Sequence, residues 1–119
     1  MGKLTDGRFE TRQVVGTEPL NCNITAATEL ARIRFFTQVL VREVRAAILT
    51  AGLTTTAGFT VFKNTTSIGI VTCGVGVAGA IVDASLVDTT FAATDDLVIK
   101  NVTSDTNFDA RLMVDYNEL

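Results

Sequence analysis

The run Gly74-Val-Gly76-Val-Ala-Gly79 has the G-x-G-x-x-G spacing with which backbone N–H groups at a helix start cradle phosphate oxygens. It follows a strand-like run. Asp95 and Asp96 lie under twenty residues further on, where a ribose-binding acid would stand. A dinucleotide site also needs a βαβ crossover, and Ala80–Val87 is too short and too β-like to supply its helix. The glycines are therefore read as a flexible loop between two strands, and no cofactor is expected.

Other reactive groups are sparse. The chain has no histidine, the commonest general base near neutral pH, so Ser and Cys nucleophiles lack their usual partner. Asp95 and Asp96 are adjacent and would point to opposite faces of a strand, which suits a turn acid and a strand-start residue better than a catalytic pair. Asp83, Asp88, Asp105 and Asp109 fall in or near loops, but without the spacing of an EF-hand. Cys22 and Cys73 are 51 residues apart with no second ligand nearby, so they are expected as buried free thiols of a protein assembled in a reducing cytoplasm. The Asn-x-Ser/Thr triplets at Asn23, Asn64 and Asn101 follow from Thr-rich composition. No catalytic or metal centre emerges, and the chain is read as a structural or binding module, not an enzyme.

The elements that hold these residues belong to a chain of 119 residues, the size of one domain. Hydrophobic residues make up 47% and charged residues 19%, below the usual ~25%, so part of the surface is expected to be Thr-rich or covered by another chain. Net charge is −3 and there is no basic tract, which argues against nucleic-acid binding. Residues 1–45 carry a balance of +2 and residues 46–119 a balance of −5, a division that could draw neighbouring copies together. The N-terminus lacks the apolar core of a signal peptide, and Asp6 stands where myristoylation needs Ser or Thr. Residues 64–82 carry no charge, but their glycines and threonines read as strands and turns, so no membrane partner is expected.

After Gly52 the period-two pattern predicts strands at Phe59–Lys63, Ile68–Cys73, Ala80–Val87, Asp96–Asn101 and Ala110–Tyr116. Asn64–Ser67 is the turn of a hairpin. Within Ala80–Val87 the apolar positions are Ile81, Ala84 and Leu86, and Phe91 is expected to tuck under the connection that follows. Residues 26–50 admit two readings. Leu30, Ile33, Val41, Val44 and Ile48 fit one helix face, with Thr25 as cap and Gly52 as stop. Val39, Val41, Val44, Ala46 and Ile48 fit strands, and strands are preferred from about residue 31 because everything downstream is β. Phe35, Phe36, Phe59, Phe62, Phe91 and Phe108 are expected in the core or at subunit contacts. The fold class is all-β: an antiparallel β-sandwich over residues 26–119, with an extended N-terminal arm over residues 1–25.

The runs Ala51-Gly52, Phe59-Thr-Val-Phe-Lys-Asn64 and Phe91-Ala-Ala-Thr-Asp-Asp96-Leu-Val-Ile-Lys100, with the closing Ala110–Tyr116 strand, resemble small jelly-roll proteins of tailed-phage virions. These are the capsid decoration, or cement, proteins and some tail or fibre modules. Thr65, and Thr94 before Asp95, replace glycines of that pattern. The resemblance spans roughly residues 44–117. It implies a jelly roll that binds the outside of a phage head, often as a homotrimer, with the major capsid protein as partner. It also implies a virion location after synthesis in the host cytoplasm. The arm is expected to reach the capsid or sister subunits through Lys3, Arg8, Phe9 and Arg12. The alternative is a receptor- or glycan-binding module of a phage tail or fibre.

Overall fold

The structure is a computed structural model that describes residues 12–87 and 89–119. Among these residues eleven strands follow one another: β1 (Arg12–Gly16), β2 (Leu20–Asn21), β3 (Glu29–Arg34), β4 (Val39–Thr50), β5 (Gly58–Lys63), β6 (Thr66–Thr72), β7 (Ile81–Asp83), β8 (Ser85–Leu86), β9 (Thr90–Phe91), β10 (Asp96–Asn101) and β11 (Asp109–Glu118). One sheet has the order β1-β11-β4-β7, with β2 beside β11 and β9 beside β4; the other runs β3-β10-β5-β6-β8. All pairings are antiparallel. The chain changes sheet at every connection except β1–β2 and the β5–β6 hairpin. Crossing back and forth in this way is how two Greek keys roll into a jelly-roll sandwich.

The two inner faces form the core. β4 contributes Val39, Val41, Val44, Ala46 and Ile48, and β11 contributes Ala110, Leu112 and Val114; Phe59, Val61, Ile68, Val71, Leu97 and Ile99 face them from the other sheet. Each fully buried large side chain contributes roughly 1.5–3 kcal/mol by leaving water. The step from Val41 to Val44 breaks a period of two, and the register shows how it is absorbed. Tyr116 faces Val41 while Asp115 faces Glu43, so Arg42 is an extra residue in β4. A second irregularity, between Asp109 and Ala110, passes over Leu49 and leaves it exposed. Bulges of this kind put the apolar positions back on the inner face. Residues 29–34 and 39–50 are thus strands, as preferred over the helix.

Two segments differ from the expectation. Ala80–Val87 is not one strand: β7 lies in the first sheet and β8 in the second, with the switch at Ala84. The side chains packed on the core are Ala80, Val82, Ala84 and Leu86, whereas Ile81 is exposed. Secondly, of the segment 1–25 expected as an arm, residues 12–25 lie against the domain. β1 pairs with β11 from Arg12↔Asn117 to Gly16↔Met113. Thr17 N–H then donates to Leu112 O, and Leu112 N–H donates back to Thr17 Oγ1. The reason is that β11 would otherwise present an open sheet edge, and β1 supplies the missing backbone partners. Lys3, Arg8 and Phe9 lie outside the described residues.

Candidate interaction surface

The glycine loop is placed between β6 and β7, with no helix behind it. The N–H groups of its three glycines are spent within the chain: Gly74 N–H donates to Ala57 O, Gly76 N–H to Cys73 O and Gly79 N–H to Ile48 O. Gly74 has φ +58° and Gly79 φ +91°, so both occupy the region that favours glycine. A Cβ on Gly52 would lie 2.9 Å from Gly74 O and 3.1 Å from Asp105 Oδ2. The residues that resemble a phosphate cradle therefore serve to let two loops touch.

Asp105 organises those loops. Its Oδ2 accepts from Leu53 N–H at 2.8 Å, Thr54 N–H at 2.9 Å and the Thr54 hydroxyl at 2.6 Å. Its Oδ1 accepts from Asn107 N–H at 3.0 Å and Phe108 N–H at 3.1 Å. Burial by itself would push this carboxyl up. The Thr54 hydroxyl and the amides of Asn107, Leu53 and Thr54 outweigh burial and hold it well below the usual carboxylate range. Asn101 does the same for the neighbouring loop, accepting from Thr28 N–H and donating to Ile24 O and Thr103 O. Further backbone bonds run from Cys22 N–H to Phe108 O and from Asp105 N–H to Cys22 O.

These bonds gather residues 22–28, 51–57, 73–80 and 102–108 at one end of the sandwich. The only Lys, Arg, Asp or Glu among those 29 residues is Asp105, which is 3% exposed. Leu53 is 64% exposed there, Val75 56% and Val77 71%, with Ile24 also exposed. Leu49 and Ile81 are exposed just below, on β4 and β7. The outcome is a rigid, uncharged end with aliphatic side chains standing out of it. Sequence reasoning did not single these residues out. The available signal was that Lys63 is the only charged residue from Ala46 to Val82.

Several other acids have partners in the same chain. Asp96 starts β10 and accepts from Arg34 Nε at 2.7 Å and Arg32 at 2.6 Å; first the Arg34 bond and then the Arg32 bond hold its carboxyl low. Asp95 accepts from Asn64 Nδ2 and Ala92 N–H, which lower its carboxyl too. Asn64 Oδ1 accepts from Asp96 N–H, so the Asn64 and Asp95-Asp96 parts of the two segments quoted above meet in space as a turn lock. Arg12, the one described residue of the expected contact set, donates through Nε to Asp115 Oδ1 at 3.0 Å and lies 4.0 Å from Glu43. Arg45 pairs with Glu43 and with Asp83, the latter at 3.2 Å. Asp109 accepts from Asn21 Nδ2. The basic front and acidic back thus meet within one chain, through Arg12–Asp115, Arg32–Asp96, Arg34–Asp96 and Arg45–Asp83. Among the described residues no group of three or more His, Cys, Asp or Glu is placed to hold a metal ion. Nor is any helix among them long and apolar enough to cross a membrane.

Cys22 and Cys73 are buried and unbonded. Burial is the main force that pushes the Cys22 thiol up to about 12 and the Cys73 thiol up to about 11. Phe59, Phe91 and Phe108 are fully buried, while Phe36 is 78% exposed with φ +62°. The β3–β4 turn delivers Phe35 instead, edge-on to Phe91 at 6.0 Å and tilted on Tyr116 at 4.7 Å. Phe36, next in the chain, is turned outward by that placement. Compared with protein-family models, curated proteins and solved structures, the chain matches none.

Proposed function

We propose that this chain is a virion structural protein of the capsid-decoration type. It binds the outer surface of a phage head as a homotrimer and stabilises the shell. The observation that carries the reading is the uncharged, aliphatic end of the sandwich. Hydrogen bonds hold it rigid before any partner arrives, so docking on it orders few groups. Exposed apolar side chains gathered at one end in this way suit protein contact rather than chemistry. The ion pairs on both sheets are spent within the chain, which suits a module that contributes shape and area. The likeness of the 44–117 segments to tailed-phage decoration proteins supports the choice of a capsid as the larger assembly.

The test is co-sedimentation of the purified chain with empty, expanded heads built from the major capsid protein of the same genome. Saturable binding with a raised shell melting temperature is the expected result. Absence of shell binding, together with saturable glycan binding by the isolated chain, would replace this reading by the receptor- or glycan-binding module of a tail or fibre.

A further inference from the structure

We draw no further inference here: the strongest candidate, the surface patch at the β3–β4 turn where Phe36 stands 78% exposed at φ +62°, carries none, because nothing in the structure shows what covers it.

Discussion

Replacing Asp105 by Asn changes one atom at the point where the end loops converge, and its cost follows from the hydrogen bonds. Five donors converge on the carboxylate, three on Oδ2 and two on Oδ1. An amide has one oxygen. If that oxygen takes the Oδ2 place, the N–H groups of Asn107 and Phe108 face an NH₂; in the other orientation the Leu53 and Thr54 donors do. At least two donors lose their acceptor either way, at roughly 1–3 kcal/mol each, and the bonds that remain lose charge assistance. The expected loss is about 3–5 kcal/mol, a large part of the ~5–15 kcal/mol that holds a domain together. For a chain of this size that corresponds to a melting temperature lower by ~10–20 °C. Urea unfolding followed by circular dichroism near neutral pH measures it, with an unchanged m-value showing that the same core unfolds. The acid limb gives a second check. The folded carboxyl sits below its ordinary 3.8, so its contribution is complete above that value and is lost as pH falls below it toward the folded value. The gap between wild type and Asp105→Asn should therefore narrow below pH ~4. A variant within about 1 kcal/mol of wild type near neutral pH, or a gap that does not change through the acid limb, would refute the reasoning.

Gly58→Ala should cost about 3 kcal/mol or more, because the new Cβ would lie 2.0 Å from Val71 O and force β5 and β6 apart; an unaltered melting curve would contradict it. Cys22 and Cys73, held as thiols by burial, should resist an aromatic disulfide reagent under mildly alkaline conditions and react together only in denaturant; rapid modification of the native protein would count against their placement. Removal of residues 1–18 should lower the melting temperature relative to removal of residues 1–11. The longer deletion takes away β1, the Arg12–Asp115 pair, the Tyr116 hydroxyl bond to Gln13 and the half-buried Val15, together about 2 kcal/mol. Identical melting of the two truncations would show that β1 adds nothing to the sheet.

By itself the sequence determined that this is an all-β domain and where most of its later strands run. Phe59–Lys63 and Ala110–Tyr116 alternate in their own residues and Asp96–Asn101 holds a short apolar run, and both patterns are local: they need no knowledge of which strand lies alongside. The buried thiols and the inward Phe91 were legible for the same reason, since hydrophobicity is carried by the residue. Tertiary structure decided what depends on a distant partner. Arg42 and Leu49 are bulged because β11 sets the register, and the insertion at Arg42 gives Val41 and Val44 their helix-like spacing. The turn from β7 to β8 was hidden because both halves keep the same inward period, although they join different sheets. The opposite charges of the two halves were visible as numbers, but only the fold showed them meeting inside one molecule, because Arg32 and Asp96 are 64 residues apart in the chain yet adjacent across β3 and β10. The loop end is the furthest from the reach of sequence. Its four segments share no motif, and they become one surface only because every second connection of the sandwich returns to the same end, where a buried carboxylate and loop-to-loop backbone bonds join them.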